Sequence, residues 1–128
     1  MKYNMHIDDG QHIGIPTDCF DKTVSFYQDL GFELEHQVDN SGQKVGFLRF
    51  NHLQLEIYEE KVTAQRAGAI DHIALNCTDI DAAYKTAKEA GFKILSNNIE
   101  ALPFWQNGIK FLIIEGPNKE RVEFCQIL

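Results

Sequence analysis

Long apolar runs are missing from this 128-residue sequence. Its longest, such as residues 111–114, fall far short of the ~20 residues that a membrane span requires. Positive charge is also scarce: 12 Lys and Arg stand against 19 Asp and Glu, a net charge of −7. That balance argues against nucleic acid as a partner, because phosphate backbones are bound by clustered Lys and Arg. Cysteine is sparse too. Cys19, Cys77 and Cys125 cannot all pair within one chain, and their spacing matches no zinc or redox motif. Free thiols in a reducing cytoplasm are the expectation. No basic start leads into an apolar segment with a small-residue cleavage site, so no secretory signal is read. What remains is 44% hydrophobic and 24% charged, the composition of an ordinary globular domain with a real core. A single domain over residues 1–128 is expected.

The chain does contain a repeat. With His12 set over His72, an offset of 60, "HIGIPTDCFDKTVSFYQDLGFEL" (12–34) lies over "HIALNCTDIDAAYKTAKEAGFKI" (72–94). His, Ile, Asp21/Asp81, Gly31/Gly91 and Phe32/Phe92 coincide, and apolar positions match at Ile15/Leu75, Phe20/Ile80 and Leu34/Ile94. These matches fall at punctuation points, which marks a duplicated unit.

Each half opens with a short apolar strand, 12–17 and 72–77, followed by a helix start. Asp18 with Asp21, and Thr78 with Asp81, have capping-box spacing. Phe20, Val24, Tyr27 and Leu30 form the apolar stripe of the first helix; Ile80, Ala83, Tyr84, Ala87 and Ala90 form that of the second. Gly31 and Gly91 stand where a left-handed helix end is favoured. Strands are then expected over 32–38, 44–50 and 53–58, and over 92–96, 110–114 and 121–127, with the loop 97–111 between the first two of the second set. Each half reads as β-α-β-β-β: module one over 11–59, a polar linker over 60–70 and module two over 71–128. Neither covers both faces of its sheet alone, so the two are expected to pack together.

The last strands, "LQLEIYE" (53–59) and "RVEFCQI" (121–127), each carry one Glu in an apolar run, Glu56 and Glu123. Side chains alternate along a strand. His12, Gly14 and Pro16 therefore share one face while Ile13 and Ile15 point under the helix, and Gln54, Glu56 and Tyr58 oppose Leu53, Leu55 and Ile57. Glu123 opposes Val122 and Phe124 in the same way. A carboxylate on an inward sheet face is costly unless it is paired or bound to a cation. Two His and two Glu, one pair per half, make a nitrogen-and-oxygen ligand set for one divalent ion such as Ni, Co, Mn, Fe or Zn. A single His or Glu in a strand is ordinarily structural; the fourfold coincidence is what points to metal. His6 (in a polar tail), His36 (on a strand edge) and His52 (in a turn) receive no such role.

On these segments, together with "FLRFNHLQLEIYE" and "IKFLIIEGPNKERVEFCQ", the sequence resembles the vicinal oxygen chelate superfamily, the group of glyoxalase I, the bleomycin-resistance proteins and the extradiol dioxygenases. The resemblance covers nearly everything from residue 11 onward. It implies an α+β fold of two tandem βαβββ modules in a cupped, barrel-like mixed sheet, usually in a homodimer. It also implies His12, Glu56, His72 and Glu123 as metal ligands, with Glu123 and Glu56 as the catalytic carboxylates and Glu123 as the base. Glyoxalase I and methylmalonyl-CoA epimerase have four such ligands; the dioxygenases and fosfomycin-modifying enzymes have three. An apparent fourth ligand favours a metal-dependent, glyoxalase-like lyase or isomerase acting on a small 2-oxo or thiol-adduct substrate through an enediolate. The alternatives are a drug- or metabolite-binding protein of the bleomycin-resistance type and a three-ligand dioxygenase or resistance enzyme.

Two departures from the family pattern concern the substrate. Pro16 stands where bacterial glyoxalase I carries the Arg that grips glutathione, and "GPNK" (116–119) replaces the usual "DPDG" turn. Arg49 and Arg121 are candidates for an anionic substrate group. The loop around Leu102, Pro103, Phe104 and Trp105 reads either as a substrate-covering lid or as a cap on the core or a dimer contact. Cys125 shares parity with Glu123 and is read as an inert buried thiol.

Overall fold

The computed structural model describes residues 2–29, 31–115 and 121–128. Leu30 of the expected helix stripe and the "GPNK" turn lie outside the described residues. Eight strands and two helices are present among those described. The chain forms two compact units, one of His12–Asp71 and one of Met1–Gln11 with His72–Leu128.

In the first unit the strand order is β2-β3-β4-β1. β1 (Ile7–Thr17, entering this unit at His12) runs parallel to β4 (Leu53–Glu59). β2 (Glu33–Asn40) and β3 (Gln43–Phe50) complete an antiparallel meander with β4. Ser41 and Gly42 both have positive φ, the conformation of a two-residue hairpin turn, and join β2 to β3. The helix α1 (Phe20–Asp29) buries Phe20 and Val24 on Leu48, Leu55 and Ile57, with Ile13, Ile15, Tyr27 and Leu34 packed around them. Gly46 lets this happen: a Cβ there would stand 3.1 Å from the Phe20 ring.

The second unit repeats the plan with the order β5-β8-β7-β6. β5 (His72–Cys77) runs parallel to β8 (Arg121–Ile127); β7 (Ile109–Glu115) and β6 (Glu100–Leu102) follow antiparallel. The helix α2 (Ile80–Glu89) buries Ile80, Ala83 and Ala87 against Cys77, Leu112, Ile114 and Phe124. The repeat shows in detail at the helix ends. Gly31 (φ 106°) and Gly91 (φ 77°) close α1 and α2 with the same pair of bonds, Gly31 N–H to Gln28 and Phe32 N–H to Tyr27, then Gly91 N–H to Lys88 and Phe92 N–H to Ala87. The fold is thus α+β and built from two βαβββ modules, each with a mixed sheet. No described helix is long and apolar enough to cross a membrane.

Three local expectations are corrected. The helix caps sit one residue later than the capping-box reading placed them. Asp79, not Thr78, accepts the Ala82 N–H at 3.0 Å, because Thr78 spends its own N–H and hydroxyl on the His6 carbonyl. At α1 the Cys19 carbonyl accepts the first helical bond, from Thr23, and the Thr17 hydroxyl accepts the Cys19 N–H. β1 also begins at Ile7 rather than at residue 12. The segment read as a polar tail is anchored by Met5, buried in the second unit's core, and by the Thr78 bonds to His6. Finally, 92–96 is not a strand. It makes one bridge, Ile94 to Ile114, and β6 forms later, inside the expected loop. Ser96 explains the break: its hydroxyl accepts the Ile113 N–H and donates to Asn98 O, while Glu100 takes the Asn97 N–H, so side chains replace the ladder.

All three cysteines are free, Cys19 exposed and Cys77 and Cys125 buried. Burial, with smaller contributions from the Asp8 and Asp79 charges and against a bond from the Asp79 backbone, pushes the Cys77 thiol up to about 11. The thiolate is the reactive form. A neutral-pH pulse of iodoacetamide should therefore modify Cys19 first and leave Cys77 and Cys125 intact until the protein is unfolded; peptide mapping of the native protein that finds Cys77 alkylated as fast as Cys19 would contradict the packing described.

Candidate functional site

In the first unit, β1 and β4 pair in register with Gly14 beside Glu56 and Ile13 beside Leu55. Because Ile13, Leu55 and Ile57 are taken by the α1 core, His12 and Glu56 fall on the opposite face. His12 Nε2 lies 3.5 Å from Glu56 Oε1, and the His12 side chain is almost wholly buried. Phe47 is directly across from Glu56 in the β3–β4 ladder and is fully buried. Its ring meets the His12 ring edge-on at 5.6 Å and the His36 ring at 6.0 Å, so it sets the orientation of the imidazole.

Two further groups share this face. Tyr58, two residues beyond Glu56, donates its hydroxyl to Asp71, and Asp71 N–H is held by Gly14 O at 2.8 Å. Burial first, then the Asp71 and Glu56 carboxylates, push the Tyr58 phenol well above its ordinary range, so it stays a donor. On the other side Gln54, only 2% exposed, accepts from Arg49 Nη2 at 2.9 Å. Arg49 Nε in turn donates to Glu35 at 3.1 Å.

The second unit holds the matching pair. Ile73, Leu75, Val122 and Phe124 have helix-side parity, and Leu75, Val122 and Phe124 pack in the α2 core. His72 and Glu123 occupy the other face, with His72 Nε2 at 3.9 Å from Glu123 Oε1; both residues are buried. Cys125 is on the same face with its thiol 3.8 Å from Asn76 Oδ1. Arg121 is exposed at the start of β8, in register with His72.

These pairs can be tested against a metal by their own dimensions. Two donor atoms each roughly 2.0–2.2 Å from one cation stand about 3–3.5 Å apart. The His12–Glu56 separation falls in that range and the His72–Glu123 separation is a little wider. Neutral imidazoles and carboxylates are also the donor types that intermediate divalent ions accept. Three of the four, His12, His72 and Glu123, are buried ligand-type residues. A divalent cation therefore fits the donors present in each unit.

The loop residues divide. Phe104 is 3% exposed and is a packing residue. Trp105, in a left-handed backbone conformation (φ 65°), lines an open cavity of about 430 Å³ with Leu102, Pro103, Gly108 and Leu128. Sequence reasoning named Arg49 as a candidate for an anionic group but missed Phe47, Asp71 and the bonds that link Arg49 to Glu35 and Gln54. Gln54 was legible by parity with Glu56; Phe47 and Glu35 needed the hairpin register, which a β-bulge between Leu34 and His36 shifts.

Comparison with known proteins bears on the family and the fold. The family model described as Glyoxalase/Bleomycin resistance protein/Dioxygenase superfamily matches residues 11–124. An uncharacterized protein, YwbC, of Bacillus subtilis (strain 168) is 31% identical over 124 residues, 90% of this chain and 94% of the relative. Among solved structures, methylmalonyl-CoA epimerase from Mycobacterium tuberculosis superposes with a TM-score of 0.76 at 19% identity, over 100% of this chain and 93% of that one. A hypothetical protein BH1468 from Bacillus halodurans C-125 gives a TM-score of 0.74 at 24% identity, over 94% of each chain. At these identities the structures speak to the fold alone.

Proposed function

The chain belongs to the glyoxalase/bleomycin resistance protein/dioxygenase superfamily, and from that premise we propose that it is a metal-dependent lyase or isomerase of glyoxalase type. The observation that carries the reading is the duplicated His–Glu pair, at 3.5 Å in one unit and 3.9 Å in the other. We assign both pairs, His12 with Glu56 and His72 with Glu123, to one divalent cation. When bound, that cation supplies Lewis-acid stabilisation of charge on two vicinal substrate oxygens. The chain's own part is proton transfer: Glu123, on the last strand, takes the proton from the carbon beside the substrate carbonyl. Phe47 and the Tyr58–Asp71 bond hold the surrounding groups in place. The free thiols fit a reducing compartment such as the cytoplasm.

Retention of the paired carboxylates counts against a purely drug-trapping protein, and Glu56 as a fourth donor counts against dioxygenase or epoxide chemistry. Pro16, with no donor or charge, argues against glutathione as the thiol. Protein stripped with a chelator should be inactive and should regain turnover with Ni or Co on methylglyoxal adducts of small thiols, while the glutathione adduct is turned over poorly. Rapid, saturable turnover of the glutathione adduct would remove the Pro16 argument; failure to bind any divalent metal would remove the enzyme reading itself.

A further inference from the structure

Arg49 on β3 pairs with Gln54 on β4 in the antiparallel ladder, as Phe47 pairs with Glu56. Cross-strand partners project from the same side, so Arg49, Gln54, Phe47 and Glu56 share the face that carries His12. Two contacts fix the guanidinium. Nη2 donates to the Gln54 carbonyl at 2.9 Å, and Nε donates to Glu35 at 3.1 Å. Gln54 is itself buried, whereas the Arg49 and Glu35 side chains are each 38% exposed. An Arg kept only to neutralise Glu35 would gain little, since a half-exposed ion pair is worth ~1 kcal/mol or less. It would not need a buried amide to orient it. A guanidinium has five N–H donors in a rigid plane, and these two bonds use two of them. Such a fork, half open to solvent and locked in orientation, is suited to a planar anion.

Resting on the metal reading above, we propose that Arg49 is the specificity-determining residue of the site and that the substrate carries a carboxylate separate from its chelating oxygens. Gln54 and Glu56 are two residues apart on one strand, so the anion subsite lies about 7 Å along the face from Glu56. The substrate class is therefore a short 2-oxo acid or 2-oxo thiol adduct with a distal carboxylate. Gln54 acts as a positioning residue. Glu35 tunes the affinity by holding part of the Arg49 charge.

The test uses cobalt-loaded protein and two probes of equal chain length, 2-oxoglutarate and 2-oxopentanoate, with binding read from the visible spectrum of the metal and from calorimetry. The distal carboxylate should favour 2-oxoglutarate by roughly tenfold to a hundredfold, the worth of a hydrogen bond to a charged group. Arg49→Gln should abolish that preference and leave 2-oxopentanoate unchanged. Glu35→Gln should enlarge it, an effect that an Arg serving only to pair with Glu35 would not produce. Equal binding of the two probes by the unmodified protein, binding of neither, or equal weakening of both by Arg49→Gln overturns the proposal. Cobalt content of the same samples reports separately on the metal reading.

Discussion

Replacing Glu123 by Gln should leave most of the divalent-metal affinity and remove most of the turnover, by a factor of roughly a hundred or more. The two effects separate because they use different properties of the carboxylate. Coordination needs an oxygen lone pair, which the amide oxygen keeps; proton abstraction needs a base, which the amide is not. Gln is nearly isosteric, so β8 and its ladder to β7 (Glu123 beside Ile113) and to β5 (beside Ala74) have no reason to move. The same change at Glu56 should be milder. Glu56 stands in the first unit beside Phe47, where the Tyr58–Asp71 bond and the Phe47 ring hold the neighbourhood fixed, a setting for a static ligand rather than a mobile base. The measurement is initial rate and metal content for both variants at one pH. A dead Glu56→Gln beside a near-normal Glu123→Gln would exchange the roles.

Much of this arrangement is legible in the residues because the sequence is a duplication. His12 and His72 fall at equivalent points, and strand parity alone places Glu56 and Glu123 away from the helix-packed Ile57 and Phe124. The apolar stripes of both helices and the two glycine ends are local features, fixed by periodicity and by the sterics of positive φ, and they need no tertiary knowledge. The failures have a common cause, which is competition from contacts distant in sequence. Met5 and Thr78 turn an apparently polar start into part of the second unit, across a separation of more than 70 residues for the Thr78–His6 bonds. Ser96 bonding Ile113 converts an expected strand into a single bridge. Arg49 was legible as one of two candidates for an anionic group, beside Arg121, and what sets it apart depends on the β3–β4 register that brings it to Gln54.

Removing a histidine should have the largest effect on metal. His12→Ala and His72→Ala are each expected to weaken divalent-metal binding by at least about a hundredfold, more than the 10–100-fold typical of residues that only support ligands. Metal bound at a hundred times its Kd stabilises the folded chain by about 2.7 kcal/mol, so a hundredfold loss of affinity removes nearly all of it. For a chain of this size that is a rise in Tm of roughly 8–15 °C on adding metal, present in the unmodified protein and absent in both variants. Metal-free Tm is the control, because His12 and His72 are buried and their loss leaves a cavity irrespective of metal. Glu56→Ala discriminates further. Its side chain is somewhat more open than that of Glu123, 14% against 10%, but it lies closer to its histidine, 3.5 Å against 3.9 Å. Proximity decides coordination once a cation is present, so Glu56→Ala should also weaken metal binding and reduce the metal-dependent rise. If Glu56→Ala takes up metal as tightly as the unmodified protein, Glu56 is not a ligand. The donor set would then be His12, His72 and Glu123, and the three-ligand chemistries would move ahead of the isomerase reading.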